Sequence, residues 1–189
     1  MKTSEQSFES LPPRERILLA AHALFYGEGI RATGVDKIIE RSCVSKVTFY
    51  RQYASKDELI RAYLDYRHEK WISWFQTSLA QATAGGASAL DALATTLRSW
   101  FSQPNFRGCA FLNAAAELGS SDAEILATVR RHKEEMSSVL DDLFAGDAAS
   151  AGRALSLVID GAIVHVQMGH AINDVLEDLQ AVVSRNLRK

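Results

Sequence analysis

Apolar residues recur through this chain at intervals of three and four, and proline almost never interrupts them. The three prolines are Pro12, Pro13 and Pro104, so nothing between Pro13 and Pro104 must break a helix. In the segment 17–25, for example, one helical face is formed by Ile17, Ala20, Ala21, Leu24 and Phe25. We find no segment that alternates apolar and polar residues in the manner of a β-strand. The sequence therefore predicts an all-α protein.

Capping residues and glycines divide the chain into helices. Pro13 suits the first turn of the first helix, because the N–H that proline lacks would be unpaired there. Gly27 and Gly29 predict the end of that helix, and Ser45 is a typical cap for the third. The predicted helices cover residues 14–26, 35–41, 46–53, 55–81, 88–102, 108–118, 122–145, 148–170 and 172–187.

Composition excludes several classes of protein. Apolar residues make up 47% of the 189 residues, which is enough for a core, but no apolar stretch is long enough to cross a bilayer. The polar segment 1–13 lacks the apolar centre of a signal peptide. Cys43 and Cys109 are too few for a disulfide framework. We therefore expect a cytoplasmic protein without membrane association.

The motifs of catalytic and metal sites are missing from the sequence. His68 and Glu69 are not followed by the second histidine of the zinc motif HExxH. Cys109 has no evident base, and the pair Gly85-Gly86 lacks the pattern of a phosphate-binding loop. The sequence therefore predicts no catalytic residue, no metal site and no cofactor, and hence no enzyme.

Charge is distributed unevenly along the chain. The formal net charge is −2, but residues 1–67 contain 11 Lys+Arg against 9 Asp+Glu, whereas the remainder contains 10 against 14. A nucleic-acid interface needs only a local basic surface. The mildly basic first third is therefore compatible with DNA binding.

The segment 33–59, TGVDKIIERSCVSKVTFYRQYASKDEL, carries the most specific signal. It predicts two short helices on either side of a three-residue turn, Ser42 to Val44. On the second helix Phe49 and Tyr53 point inward, while the outward residues offer hydroxyl, amide, ammonium and guanidinium groups. Those groups suit phosphate oxygens and base edges. The segment is therefore typical of a helix-turn-helix that binds DNA.

This segment resembles the DNA-binding domain of the tetracycline-repressor (TetR) family. The matching residues are Thr33, Ile38, Val44, Ser45, Thr48, Tyr50, Ser55, Lys56 and Leu59. The departures, which stand where smaller residues are usual, are Ile39, Ser42, Cys43 and Val47. Cys43 replaces a usual glycine and is expected to strain a turn that often requires positive φ.

The resemblance covers about residues 14–64 and implies a domain organisation. A flexible tail would occupy residues 1–13, and a three-helix DNA-binding domain residues 14–60. A C-terminal helical bundle for effector binding and dimerisation would follow over residues 61–189.

The resemblance also implies two sets of contacts with a double-stranded DNA operator. The phosphates would be held by Thr33, Ser45, Tyr50 and Lys56. The major groove would be met by Lys46, Val47, Thr48, Arg51 and Gln52.

The segment 153–170 is apolar on two sides of one helix. Such a helix usually lies between two packing partners, and here the second partner is either the chain's own core or another subunit. The last two helices of the family typically form a dimer interface, so the resemblance favours a homodimer. The expected interface residues are Leu157, Gly161, Val164, Met168, Leu176, Leu179, Val183 and Leu187.

Aromatic residues are concentrated in the middle of the chain, among small residues. Such a mixture can enclose an apolar pocket with a few polar groups, although it also describes an ordinary core. The family's habit of binding small effectors in this region favours a pocket. Its expected residues are Trp74, Trp100, Phe101, Cys109, Phe111, Asn113, Glu117 and His165. The resemblance thus implies a dimeric repressor that a small molecule of unknown identity releases from a pseudo-palindromic operator. The fourth helix would transmit the effect of the bound molecule to the DNA-binding domain.

The sequence leaves alternatives open. The outward residues of the third helix could bind another protein, which would make the chain a helical protein-interaction module without specific DNA binding. Cys43 or Cys109 could sense redox state. The family habit favours a repressor, but the residues do not separate a repressor from an activator.

Overall fold

The computed structural model describes residue 8 and residues 10–119, 122–145 and 152–187. Their helices are α1 (Pro13–Glu28), α2 (Val35–Ser42), α3 (Lys46–Gln52), α4 (Lys56–Ala84), α5 (Ala89–Phe101), α6 (Ala110–Leu118), α7 (Ala123–Leu143), α8 (Gly152–Gln167) and α9 (Ile172–Leu187). This part of the chain contains no strand, so the predicted all-α fold is confirmed. None of the helices described there is long and apolar enough to span a bilayer.

The helix ends follow from capping, with some shifts from the prediction. α1 begins at Pro13 as expected, but it continues through Gly27 to Glu28. The chain leaves the helix at Gly29, which adopts φ +97°, because this left-handed region is easily reached by glycine. α4 extends to Ala84 rather than to residue 81. α8 ends at Gln167 rather than at 170, and residues 148–151, where its start was predicted, lie outside the described residues.

The described residues form two compact units. The first unit contains the chain up to Arg67 together with Asn113–Thr128. The second unit contains His68–Leu112 and the residues from Val129 onward. The segment Asn113–Thr128 thus belongs with the first unit although it is distant in sequence. The division into functional domains at residue 60 stays a prediction.

The core of the first unit forms where α1, α2 and α3 pack on one another. α1 buries Ile17, Ala21 and Leu24, whose spacing puts them on one face. Ile38 from α2 and Phe49 from α3 are fully buried in this core. This packing fixes the two short helices while their opposite sides remain open.

The second unit is built around aromatic side chains. Trp71 stacks on Phe75 with 4.7 Å between the ring centroids, and it meets Trp100 edge-on at 5.2 Å. Phe111 stacks on His132 at 3.6 Å. Large rings bury much apolar area and dominate core energetics. These contacts therefore account for a large share of the stability of this unit.

α7 and α8 approach each other closely at Gly152. A Cβ atom on Gly152 would lie 2.0 Å from the Ser137 carbonyl oxygen and 2.8 Å from Asp141 Cγ. We expect Gly152→Ala to lower the free energy of unfolding by about 1–3 kcal/mol, because the helices must move apart. Urea denaturation measures this change.

Gly27→Ala is the matched control, since no atom lies within 4 Å of a Cβ at Gly27 in α1. Alanine at a helical position without a clash should raise the free energy of unfolding by about 0.5–1 kcal/mol. Equal unfolding midpoints for the two variants would contradict the close approach at Gly152.

Candidate nucleic-acid interface

α2 and α3 are joined by a tight turn that depends on the conformation of Cys43. α2 ends at Ser42, which is buried and donates its hydroxyl hydrogen to the Ile39 carbonyl oxygen at 3.2 Å. Cys43 then adopts φ +52° and ψ +43°, in the left-handed region, as expected at a position where glycine is usual. Its N–H donates to the Glu40 carbonyl oxygen at 3.1 Å. The turn is therefore satisfied by backbone bonds even though its residue carries a side chain.

Ser45 begins α3 as the sequence predicts. Ser45 Oγ accepts the N–H of Thr48 at 3.1 Å, and the two hydroxyl oxygens are 2.9 Å apart. Ser45 is exposed and Thr48 is half-buried. The cap supplies a partner for one of the N–H groups that a helix start leaves unpaired.

α3 turns most of its side chains to the outside. Phe49 is buried, whereas Val47 is 78% exposed and Tyr50 is 45% exposed. Lys46 and Arg51 are also exposed. This surface therefore combines two cations with an apolar centre.

The first and last residues of α3, Lys46 and Gln52, differ in how firmly they are held. Lys46 Nζ lies 3.7 Å from Asp36 Oδ1, and both side chains are largely exposed, so their attraction contributes little to stability. Gln52, the last residue of α3, is half-buried. Lys46 is thus only loosely held and is available to a ligand.

Thr33 is not at the surface where the sequence placed it. Its side chain is fully buried, and its hydroxyl donates to the Gly29 carbonyl oxygen at 2.7 Å. A buried hydroxyl cannot reach a phosphate without leaving this bond. The expected phosphate contact of the Thr33 side chain is therefore corrected: this residue closes the loop between α1 and α2.

Lys56 has a structural bond besides its expected phosphate contact. Lys56 Nζ donates to the Ile30 carbonyl oxygen at 2.6 Å, and desolvation by burial lowers the pKa of the Lys56 ammonium. An ammonium group carries three hydrogen-bond donors, so the bond to Ile30 leaves two. The phosphate contact of Lys56 stays a prediction.

Two residues assigned to the effector pocket belong instead to the first unit. Glu117 Oε2 accepts the backbone N–H of Arg31 at 2.8 Å, and Asn113 lies in the same unit. Glu117 therefore holds the loop after α1, and its expected place in an effector pocket stays a prediction. Sequence periodicity gives no signal for this contact because the two residues are 86 positions apart.

The remaining pocket residues divide between the core and the surface of the second unit. Trp100 contacts Trp74 at 6.4 Å and Phe101 at 5.7 Å between ring centroids. Cys109 and Phe111 are buried as well. His165 is exposed on α8, with its ring 5.0 Å from that of His170. Trp74, Trp100 and Phe101 are therefore brought together, whereas His165 lies at the surface; the effector pocket itself stays a prediction.

The residues expected at a dimer interface also divide into two sets. Leu157, Gly161, Val164 and Met168, here named the outer stripe, are exposed along and just beyond α8. Leu176, Leu179 and Val183 are buried inside the protomer, where α9 packs on α5 and α8, so their place in an exposed interface is corrected. The side chain of Leu187 lies outside the described residues.

A groove between α8 and α9 adjoins the outer stripe. Its volume is about 190 Å³, and Gly161, His165 and Asp178 line it together with Val182, which is 41% exposed. Val182 thus supplies an exposed apolar side chain of α9 beside the outer stripe, and the more deeply buried Leu179 also lines the groove.

Comparison with known proteins gives consistent similarities. Residues 17–63 match the family described as bacterial regulatory proteins of the tetR family. A TetR-family transcriptional regulator from Streptomyces coelicolor is 32% identical, with 93% of this chain and 94% of that chain covered and a TM-score of 0.78. The transcriptional repressor ComR of Escherichia coli is 22% identical over 187 residues, which is 93% of this chain and 87% of that protein.

A further relative matches over a shorter stretch. The transcriptional activator FasR of Mycolicibacterium smegmatis is 34% identical over 70 residues, which is 37% of this chain and 32% of that protein.

Proposed function

Because this chain belongs to the TetR family and is a DNA-binding transcription regulator, we propose that it is a dimeric repressor that a small molecule releases from its operator. The observation that carries the proposal is the outward face of α3. Lys46, Val47, Tyr50 and Arg51 are all exposed on a helix that is capped at Ser45 and anchored by Phe49. Such a helix fits the major groove of B-DNA.

The chemistry of this face suits both parts of a duplex. The hydroxyl groups of Ser45 and Tyr50 suit phosphate oxygens and would set the position of the helix, while the Lys46 ammonium group would meet the major groove. Arg51 can donate two hydrogen bonds to a guanine, and Val47 can contact a thymine methyl group. Both a docking contact and a sequence-reading contact are therefore available on α3.

One short helix in one groove gives little affinity, so the proposal includes two copies. A two-fold dimer places its two recognition helices in half-sites about 34–36 Å apart, or a multiple of that distance. The outer stripe supports this assembly, because Leu157 is 69% exposed and Met168 is 61% exposed. A second copy that covers this surface would remove it from water.

One observation supports the repressor role and another supports the effector. One relative that matches over most of its length, ComR, is described as a repressor. In the second unit, the indole N–H of Trp71 is buried without a hydrogen-bond partner among the described residues, which is compatible with a ligand that accepts this bond. An effector acts only through its difference in affinity for the DNA-binding and DNA-released states.

We expect Arg51→Ala to weaken binding to the operator by about 1–3 kcal/mol and to relax the choice of base at one position. The operator is first selected from random DNA with the wild-type protein. Gel shifts at several salt concentrations then compare the selected operator with random duplex DNA. Arg41→Ala, which removes an exposed cation from α2, is the control and should leave base choice unchanged.

Two outcomes would count against the proposal in different ways. If Arg51→Ala lowered the affinity for operator and for random DNA equally, Arg51 would not be a residue that recognises a base. A wild-type protein that binds no duplex at low ionic strength would favour the helical protein-interaction module instead. Sedimentation of the free protein tests the dimer independently of DNA.

A further inference from the structure

A cationic side chain from α1 closes the C-terminal end of α3. Arg14 Nη1 donates to the backbone carbonyl oxygen of Gln52, the last residue of α3. The Arg14 guanidinium carbon lies 4.3 Å from the centre of the Tyr53 ring. The Tyr53 hydroxyl donates back to the Arg14 carbonyl oxygen at 3.4 Å. Arg14 and Tyr53 therefore contact each other twice, through the guanidinium group over the ring and through the hydroxyl group bonded to the backbone carbonyl.

The carbonyl group that Arg14 reaches has no partner inside its own helix. The last four carbonyl groups of an α-helix lack intrahelical donors, and Tyr53 leaves α3 with φ −138° and ψ +114° instead of a left-handed closure. A cation at this end also meets the negative end of the helix dipole. α3 has seven residues, and Phe49 is the buried one among them. A contact at the end of so short a helix therefore contributes strongly to the orientation of the helix axis.

Glu58 connects the same group to the start of α4. Glu58 Oε2 accepts the N–H of Ala54 at 2.8 Å, and the Glu58 N–H donates to Ser55 Oγ at 3.1 Å. Glu58 Oε1 lies 4.0 Å from Arg14 Nη2, and both side chains are largely exposed, so this ion pair adds little energy. The carbonyl of Gln52 and the ring of Tyr53 are therefore the contacts through which Arg14 acts.

We propose that Arg14 is a positioning residue for DNA recognition, which sets the angle at which α3 presents its outward face through Gln52 and Tyr53. The inference rests on the proposed function in that α3 reads the operator. A planar guanidinium can stack on a ring and donate hydrogen bonds from its edge at the same time, whereas an ammonium group is a compact point charge. The role therefore requires arginine and not merely positive charge.

Arg14→Lys and Arg14→Met separate this role from a direct contact between Arg14 and a phosphate. We expect both variants to lose about tenfold in affinity for the selected operator, as expected when a charge-assisted hydrogen bond is removed. Affinity for random duplex DNA, and the slope of its logarithm against the logarithm of salt concentration, should not change. A phosphate contact would be rescued by lysine, and its loss in Arg14→Met would reduce the slope by about one.

Arg31→Met is the matched control, since it removes another exposed arginine side chain from the first unit. It should leave the preference for operator over random DNA unchanged. An equal loss of preference in this control would overturn the specific role of Arg14.

Amide hydrogen exchange gives a readout that does not depend on DNA. In both Arg14 variants the amides of residues 49–53 should exchange about tenfold faster, while those of residues 17–25 in α1 keep their protection. Faster exchange throughout the first unit would mean that Arg14 only stabilises the fold. If Arg14→Met fails to fold, Arg14→Lys carries the test.

The proposal is overturned if lysine restores operator affinity, if operator and random DNA are weakened equally, or if exchange in α3 is unchanged. A wild-type protein without any DNA affinity would overturn the proposed function, and with it the recognition role of Arg14. In that case the exchange experiment would still determine whether Arg14 holds α3.

Discussion

Phe49→Ala should lower the free energy of unfolding of the first unit by about 3–5 kcal/mol, the cost of truncating a fully buried aromatic residue. All residues of α3 are described, and Phe49 is the buried one among them. We therefore expect α3 to lose its anchor and the variant to bind operator no more tightly than random DNA. Urea denaturation followed by circular dichroism measures the stability, and gel shifts measure the binding.

Val47→Ala is the control for this prediction because Val47 lies on the same helix and is 78% exposed. Its free energy of unfolding should stay within about 0.5 kcal/mol of the wild type, as is usual for surface substitutions. The described packing of α3 would be wrong if Phe49→Ala unfolded at the same urea concentration as Val47→Ala.

Leu157→Glu should weaken the proposed dimer on the order of 100-fold or more. In a two-fold interface the same residue occurs twice, so the substitution places two unpaired carboxylates at the contact, each with a desolvation cost of several kcal/mol. Leu157 is 69% exposed in the protomer, so the fold of the single chain should tolerate the change. Sedimentation equilibrium of wild type and variant measures the dissociation constant.

Thr95→Glu adds the same charge to an exposed position on a different helix, α5, and should leave the dissociation constant unchanged. Comparing the operator affinities of Leu157→Glu and Thr95→Glu also tests whether DNA binding depends on the dimer, because a weakened dimer should lose operator affinity at low protein concentration. If Leu157→Glu remained as dimeric as Thr95→Glu, the outer stripe would not be the surface of association.

Local signals predicted the helices and the turn well. Pro13 and Ser45 start helices as their chemistry requires, and the inward positions of Phe49 and Tyr53 follow from spacing along one short helix. The unusual angle of Cys43 could also be anticipated, because the matching position commonly carries glycine. These features depend on a few neighbouring residues, which a sequence contains directly.

Contacts between distant residues could not be predicted in this way. Thr33 looks like a surface hydroxyl, yet the fold buries it against Gly29. Glu117 lies 86 positions from its partner Arg31, and Arg14 lies 38 positions from Gln52. Periodicity gives the faces of a helix but not the neighbour that covers each face, so these three roles required the packed structure.

The last two helices illustrate the same limit. α8 buries one apolar side, which includes Ile159 and Ile163, and leaves the outer stripe exposed. On α9, by contrast, a single apolar spacing through Leu176 and Leu179 was assigned outward, although α5 and α8 cover it. Spacing alone does not distinguish a protomer core from an interface.

The left-handed conformation of Cys43 shows that the turn between α2 and α3 requires a particular backbone conformation and not one particular type of residue. A residue with a side chain adopts this angle at a cost of roughly 1–2 kcal/mol, and here the Cys43 carbonyl oxygen also accepts a hydrogen bond from Arg16 at 3.2 Å. Where neighbouring hydrogen bonds support the turn, its left-handed position does not require glycine. A sequence pattern that demands glycine there would miss this chain.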